Sequence, residues 1–231
     1  MPESFAIMTF NIHHGEGLDG KVNLYRIAEF LKKQHADVIA LQEVDRYRLR
    51  SGYVDQALEL AQLLGMHVCF SASLSYSVGQ YGNAILSRYP IVNSARTLLP
   101  GDKERRSVLT ATLHVGSEDI HIADTHLGLS TEDRTVQMKQ ISEILAPIQG
   151  PLIIAGDFNT DKDPSSLSSQ LRQISTLPLL HGLTSTFHSG AVIDHICTNL
   201  QNPQPAWTIQ TAVSDHFPVM ARFLVGAAVR V

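Results

Sequence analysis

Acidic, amide and imidazole side chains recur at one kind of place in this sequence, directly after a short apolar run. These groups are Asn11, Glu43, His126, Asp157, Asn159, Asp194, Asp215 and His216. Carboxylate and amide oxygens, with only some histidines and almost no cysteine, suit Mg²⁺ or Mn²⁺ better than a structural Zn²⁺ site. Mg²⁺ usually keeps coordination positions that substrate phosphate oxygens fill, so the set favours a phosphate ester as the substrate.

Taken one at a time, each of these groups also has an ordinary structural interpretation. Glu43 could pair with a neighbouring arginine, and Asp215 could cap a turn. The segment 156–159 could be a turn in which Asp and Asn side chains bond their own backbone. His126 could be a hydrogen-bonded histidine at the rim of the fold. No single residue therefore decides the function.

The apolar runs before these groups predict short β-strands, and helical spacing occurs between several of them. Strands are predicted over residues 5–12, 38–41, 67–72, 83–87, 108–115, 120–125, 152–155, 192–197, 207–213 and 217–225. Helices are predicted from Leu24, over 55–64, from Ser130, and after Asp163–Pro164. The strand over 38–41 is expected to end at Gln42 and Glu43. Because sites in open α/β sheets form where strands end, these elements are expected to bring the polar groups together.

Composition limits the class of protein. The chain has 231 residues, 44% hydrophobic and 17% charged, which predicts one domain over residues 1–231. A net charge of −4 excludes the overall field of a strong non-specific nucleic-acid binder. Cys69 and Cys197 lie in apolar runs and are predicted to be buried, reduced thiols. No stretch approaches the ~20 apolar residues of a membrane span, and we expect a cytoplasmic protein.

The order of the polar segments resembles the motif series of the endonuclease/exonuclease/phosphatase superfamily, whose fold is that of deoxyribonuclease I. The segments are TFN at 9–11, LQEV at 41–44, GNAILS at 82–87, THL at 125–127, GDFN at 156–159, IDHI at 193–196 and SDHFP at 214–218. The resemblance covers about residues 5–223. It implies an α/β (α+β) fold, a four-layer αββα sandwich of two packed mixed β-sheets flanked by helices. It also implies hydrolysis of a phosphate ester with Mg²⁺ or Mn²⁺.

The resemblance implies roles for individual residues as well. The metal ligands that it implies are Asn11, Glu43 and Asp215. The catalytic groups that it implies are His126, Asp157, Asn159, Asp194 and His216. The groups that it places at the substrate phosphate are Asn83 and Arg106. A solvated loop cation is an equally good interpretation of Arg106 from the sequence.

Asp157 matches the aspartate that orients or deprotonates the attacking water. His216 matches the histidine at the scissile phosphate, and Asp194 matches the carboxylate that orients it. His126 could protonate the leaving oxygen or stabilise charge. The sequence departs from the family at His195, where the family usually has tyrosine, so a supporting hydrogen bond is expected to differ there.

Three functions remain open at this point. The leading expectation is a metal-dependent phosphoesterase that cleaves a small-molecule or lipid-derived phosphodiester, because no basic, aromatic-rich insertion that would grip a duplex is found. The second is an endonuclease or exonuclease acting on DNA or RNA. The third is a non-catalytic binding module, which would have lost a metal or water-orienting residue, and none is lost. No obligate protein partner is evident.

Overall fold

Twelve β-strands form the frame of the described part of the chain. The computed structural model describes residues 3–101, 104–161, 175–176, 185–200 and 204–225. In chain order the strands are β1 (Glu3–Asn11), β2 (Val38–Arg46), β3 (His67–Ser75), β4 (Gln80–Ser87), β5 (Ile91–Leu99), β6 (Arg106–Val115), β7 (Glu118–His126), β8 (Leu152–Asp157), β9 (Ser175–Thr176), β10 (Asp194–Thr198), β11 (Trp207–Thr208) and β12 (Val219–Val225).

These strands form two mixed sheets of six strands each. Sheet 1 has the order β11-β12-β1-β2-β4-β3, and sheet 2 has the order β5-β6-β7-β8-β10-β9. Each sheet contains one parallel pair near its middle, β1 with β2 in sheet 1 and β7 with β8 in sheet 2. The remaining pairs are antiparallel.

Within the described ranges, three α-helices begin at polar side chains that cap them. They are α1 (Leu24–Gln34), α2 (Gln56–Leu64) and α3 (Thr131–Leu145). Asn23, Asp55 and Ser130 each accept a hydrogen bond from the backbone N–H three residues later. Such a cap stabilises a helix by about 1 kcal/mol. None of the helices in the described ranges is long and apolar enough to cross a membrane. The helix predicted after Asp163–Pro164 falls outside the described residues.

The apolar side chains form three clusters that separate four layers. Phe5 and Ile7 of β1 lie in the cluster between the two sheets, whereas Met8 and Phe10 lie in the cluster against α1 and α2. This alternation follows from the two-residue period of a strand that is covered on both faces. Ile141 of α3 belongs to a third cluster, which covers sheet 2. The layer order is therefore helix, sheet, sheet, helix, and the predicted αββα sandwich is confirmed.

Several strand boundaries differ from the prediction. β2 does not end at Gln42 and Glu43 but continues to Arg46 after an irregularity in its pairing between Leu41 and Val44. β5 was not predicted, because it is an edge strand whose residues are mostly exposed and carry little apolar alternation. β11 covers only the first two of the residues predicted over 207–213.

Candidate active site

The two parallel strand pairs bring their carboxyl ends to one edge of the sandwich. In sheet 1, Asn11 at the end of β1 lies opposite Gln42 of β2. In sheet 2, His126 at the end of β7 lies opposite Asp157 at the end of β8, and Asp194 pairs with Asp157 from the other side. Polar residues far apart in sequence therefore meet at this edge.

The amide of Asn11 joins the two sheets. Its Nδ2 donates hydrogen bonds to Glu43 Oε1 in sheet 1 and to Asp157 Oδ2 in sheet 2, both at 3.1 Å. Its Oδ1 accepts the backbone N–H of His13 at 3.0 Å and keeps a second lone pair. Asn11 is fully buried, so this geometry is fixed by packing. One buried side chain thus sets the separation of two carboxylates.

A bulge in β2 directs Glu43 towards this edge. Glu43 has a φ of 58°, a left-handed conformation that residues other than glycine rarely adopt, and it lies at the interruption of the pairing between β2 and β4. Its neighbour Gln42 is fully buried and donates from Nε2 to Asp124 Oδ1 at 2.7 Å. Glu43 stays partly exposed. The bulge therefore leaves one carboxylate of the cluster accessible to a ligand.

His126 lies between Asp157 and Arg106. Its Nδ1 is 3.2 Å from Arg106 Nη1, and its Nε2 is 3.3 Å from Asp157 Oδ2. Because a guanidinium only donates, Nδ1 must accept, and the ring proton is on Nε2, where it points to Asp157. Burial, together with the positive charges of Arg106 and His216, holds the pKa of His126 well below its usual value. His126 is thus a neutral imidazole with one assigned tautomer.

His216 is held by Asp194 in the opposite charge state. His216 Nδ1 lies 2.9 Å from Asp194 Oδ2, and its Nε2 lies 3.8 Å from Asp157 Oδ2. Burial disfavours the charged imidazolium, but the neighbouring carboxylates, Asp194 first, outweigh it and raise the pKa of His216 to about 9. Burial and the charge of Asp194 raise the pKa of Asp157 to about 7. The edge therefore pairs a charged histidine with a carboxyl group that titrates near neutrality.

Four other predicted site residues lie around this network. Asn159 follows Asp157 closely, since its backbone N–H donates to Asp157 Oδ1 at 2.9 Å. Arg106 is only 5% exposed and also donates to Glu104, so the interpretation as a solvated loop cation is wrong. Asp215 is partly exposed, with Oδ1 3.8 Å from His13 Nδ1. The remaining residue, Asn83, is buried in β4.

The amide of Asn83 bridges the two sheets. Its Nδ2 lies 3.5 Å from the carbonyl oxygens of both Ser107 and Asp124. The hydrogen bonds described for Asn83 therefore go to sheet 2 backbone rather than to the Asp157 network. His195, where the sequence departs from the family, is buried. Its Nε2 lies 3.3 Å from the carbonyl oxygen of Thr160, and its ring stands edge-on to Phe158. His195 thus packs behind the turn that carries Asn159.

Two histidines that the sequence did not single out also belong to this edge. His13 and His14 form a tight turn after β1, and both have a φ of 45°. His13, His14 and Glu43 each offer a ligand atom, and these atoms lie within 4.8 Å of one another. In the described ranges the other such group is Asp157, Asp194 and His216. In the sequence, the signal for this group is the pair of adjacent histidines directly after the TFN segment at 9–11.

Comparisons with known proteins agree with this arrangement. The family model described as Endonuclease/Exonuclease/phosphatase family matches residues 8–216. The uncharacterized protein YbhP of Escherichia coli (strain K12) is 29% identical over 169 residues, which are 68% of this chain and 67% of YbhP.

Solved structures show the same fold. An endonuclease/exonuclease/phosphatase from Beutenbergia cavernae DSM 12333 has a TM-score of 0.80 at 24% identity, covering 98% of this chain and 73% of that one. A mannosyl-6-phosphatase from Bacteroides thetaiotaomicron VPI-5482 has a TM-score of 0.72 at 16% identity, covering 96% of this chain and 99% of that one. With the family model matching most of its length, this chain belongs to the endonuclease/exonuclease/phosphatase family, whose members are hydrolases that act on phosphoester bonds.

Proposed function

We propose that this protein is a divalent-metal-dependent phosphoesterase that cleaves a phosphodiester of a small-molecule or lipid-derived substrate by in-line attack of water. The observation that carries the proposal is the convergence at Asn11, whose one amide nitrogen contacts Glu43 and Asp157 at 3.1 Å each. A third group, His216, lies 3.8 Å from Asp157. The charged His216, the carboxyl group of Asp157 and the accessible carboxylate of Glu43 therefore share one edge of the fold.

The side chains at this edge fit a divalent cation. Glu43 is accessible, and two imidazoles offer nitrogen atoms within 4.8 Å of its carboxylate. In the proposal Asn11 and Glu43 hold Mg²⁺ or Mn²⁺, and Asp215 is an outer acidic group of the same site. The cation would supply positive charge that offsets the charge of the phosphate and of the transition state.

Asp157 is the proposed base that orients and deprotonates the attacking water. A general base works best with a pKa near the operating pH, and burial raises the pKa of Asp157 to about 7. The hydrogen bond from Asn159 to Oδ1 and that from Asn11 to Oδ2 fix both carboxylate oxygens. Such fixed orientation is what in-line attack on phosphorus requires.

His216 and His126 are proposed to have different roles at the phosphate, because His216 is charged and His126 is neutral. His216, charged through its contact with Asp194, would stabilise the phosphate oxygens, as a carboxylate-oriented imidazole can. His126 is neutral with its proton on Nε2, so it would stabilise the negative charge that develops on the leaving oxygen by donating a hydrogen bond from Nε2. Arg106 fixes the tautomer of His126 and adds positive charge near the phosphate.

Two amides complete the proposed site. Asn159 is proposed to contact a phosphate oxygen from the turn after β8. Asn83 is proposed to do so from β4 by exchanging its long 3.5 Å contacts with sheet 2 backbone for the phosphate. The net charge of −4 supports a small or lipid-derived substrate over nucleic acid. The similar fold of the mannosyl-6-phosphatase supports a small phosphate ester as well. A cytoplasmic location is part of the proposal, and it is supported by two cysteines that carry thiols rather than a disulfide.

The test is hydrolysis of bis(p-nitrophenyl) phosphate by protein treated with EDTA and then supplied with Mg²⁺ or Mn²⁺. We expect activity only with added metal, and a loss of about 10²–10⁴-fold in Asp157→Asn, the range for a lost general base. Asp119→Asn, at the opposite end of the sheet 2 strand that carries His126, is the matched control. Hydrolysis that survives EDTA, or that Asp157→Asn leaves unchanged, contradicts the proposal. Preferred, salt-sensitive degradation of plasmid DNA would assign a nuclease instead.

A further inference from the structure

The turn after β1 places two imidazoles beside a carboxylate. His13 and His14 belong to the tight turn His13–Gly15, and Glu43 comes from the bulge in the neighbouring strand β2. Their ligand atoms lie within 4.8 Å of one another. The rings of His13 and His14 stand edge to face with centroids 4.5 Å apart, so the two imidazoles pack against each other. Two nitrogens from the turn after β1 and one carboxylate oxygen from β2 thus converge.

One nitrogen of His14 is buried without a hydrogen-bond partner among the described residues. His14 is 7% exposed, and its Nδ1 has no partner, whereas its Nε2 lies 3.3 Å from Glu16 Oε2. A carboxylate acceptor at Nε2 keeps the ring proton there and leaves the lone pair on Nδ1. Histidines that bind metals in proteins are commonly held in this way by a carboxylate behind the ring.

We propose that His13, His14 and Glu43 bind a first-row transition metal ion in preference to Mg²⁺, with Glu16 as the residue that positions His14. Imidazole nitrogen suits later first-row ions such as Co²⁺ and Zn²⁺, and Mn²⁺ accepts it more readily than Mg²⁺, which takes oxygen ligands almost exclusively. The inference rests on the proposed function, because it concerns the cation of the same phosphoesterase site. It narrows the identity of the cation from Mg²⁺ or Mn²⁺ to Mn²⁺ or another transition metal ion. It also adds His13 and His14 as ligands.

The other candidate group at this edge has a different character. In the group Asp157, Asp194 and His216, the Nδ1 of His216 already donates to Asp194 at 2.9 Å, and Asp157 accepts from Asn11. Its two members Asp157 and His216 are therefore bonded to neighbouring side chains, as expected of groups that handle protons, and the atom of this group without a described partner, Asp194 Oδ1, is a carboxylate oxygen and not an imidazole nitrogen. Only the group around Glu43 combines a carboxylate open to solvent with an imidazole lone pair that no described residue uses.

The test measures metal binding directly, with Co²⁺ as the visible probe. The full chain is stripped with EDTA and titrated with Co²⁺, Mn²⁺ and Mg²⁺ by calorimetry and by the visible absorption of Co²⁺. We expect Mn²⁺ and Co²⁺ to bind about tenfold or more tightly than Mg²⁺. His14→Ala should abolish this preference, and Glu16→Gln should weaken Co²⁺ binding by about 10–100-fold. Asp194→Asn should leave Co²⁺ binding unchanged.

His114→Ala is the matched control, because His114 is an exposed histidine that also contacts a carboxylate, Asp119, at 2.9 Å. A second measurement needs no variant. Proton NMR of the Co²⁺-loaded wild type should show strongly shifted, exchangeable imidazole N–H signals from two coordinated histidines. Absence of those signals, or loss of Co²⁺ binding in Asp194→Asn instead of His14→Ala, overturns the inference.

Failure of this inference and failure of the proposed function give different results. If Co²⁺ and Mg²⁺ bind equally, His14→Ala changes neither, and bis(p-nitrophenyl) phosphate is still hydrolysed with Mg²⁺, the histidine site is refuted and the phosphoesterase stands. If Co²⁺ binds through two histidines but no metal supports hydrolysis of any phosphate ester, the metal site stands and the phosphoesterase is refuted.

Discussion

Replacing Asp194 with asparagine should remove the charge that keeps His216 protonated. Asp194 Oδ2 lies 2.9 Å from His216 Nδ1, and both side chains are buried. Asparagine can still accept that hydrogen bond through its oxygen, but it has no charge to offset the burial of an imidazolium. The pKa of His216 should therefore fall from about 9 towards its ordinary value of 6.5, because only Asp157 and Asp215 remain to offset its burial.

The size of the effect on stability follows from those two values. Because the folded-state pKa lies above 6.5, His216 stabilises the folded chain fully below pH 6.5, and this contribution is lost as the pH rises through about 9. The difference corresponds to about 3 kcal/mol in the free energy of unfolding, of which about 1.5 kcal/mol is lost between pH 7.5 and 9. In that interval two other shifted groups, Asp157 near 7 and Cys69 near 11, change their protonation little.

Urea unfolding in EDTA at pH 7.5, 8.0, 8.5 and 9.0 measures this loss. We expect the free energy of unfolding of the wild type to fall over the interval and that of Asp194→Asn to stay nearly constant. Asp119→Asn, which alters an exposed ion pair with His114, should keep the wild-type slope because such surface pairs contribute little. Equal slopes in the wild type and Asp194→Asn, or an NMR titration of His216 near pH 6.5 in the wild type, would show that Asp194 does not set the charge of His216.

Three further predictions concern other residues. Burial raises the pKa of Cys69 to about 11, so a disulfide reagent at pH 8 should react with it slowly in the native protein and rapidly after unfolding in guanidinium. Gly156→Ala should destabilise the fold by about 3 kcal/mol or more, measured by chemical unfolding, because φ is 154° and a Cβ would lie 1.9 Å from the carbonyl oxygen of Thr125; a stability equal to the wild type would contradict this. Arg106→Ala should lower kcat for phosphodiester hydrolysis by about 10²-fold, the scale of one lost electrostatic contact, whereas the same change at its exposed neighbour Arg105 should have little effect; equal rates in both variants would contradict a role for Arg106.

Local signals in the sequence were enough for the helices and the central strands. Asp55 with Gly65, and Ser130 with its first turn, predict where α2 and α3 begin or end, because a cap is made by residues adjacent in sequence. The run 152–155 predicts β8, because a strand covered on both faces is continuously apolar. The layer order came from the resemblance of motifs, and the structure confirms it.

The features that the sequence did not reveal depend on contacts between distant residues. The bulge at Glu43 exists only in the pairing of β2 with β4, and the run 38–41 carries no sign of it. Arg106 has the sequence surroundings of a loop cation, and its burial follows from packing between His126 and Glu104. His14 becomes a candidate metal ligand only because the bulge places Glu43 next to it. These contacts are set by the assembled sheets and leave no periodic pattern.

In the proposed site, residues from both sheets surround one cation and one phosphate at this edge of the sandwich. Anomalous diffraction from crystals soaked in Mn²⁺ and phosphate would locate both ions. We predict one manganese peak within coordination distance of Glu43, with a phosphate oxygen in contact with His216 and Asn159. A manganese peak elsewhere on the protein, with no phosphate between Glu43 and His216, would contradict this arrangement.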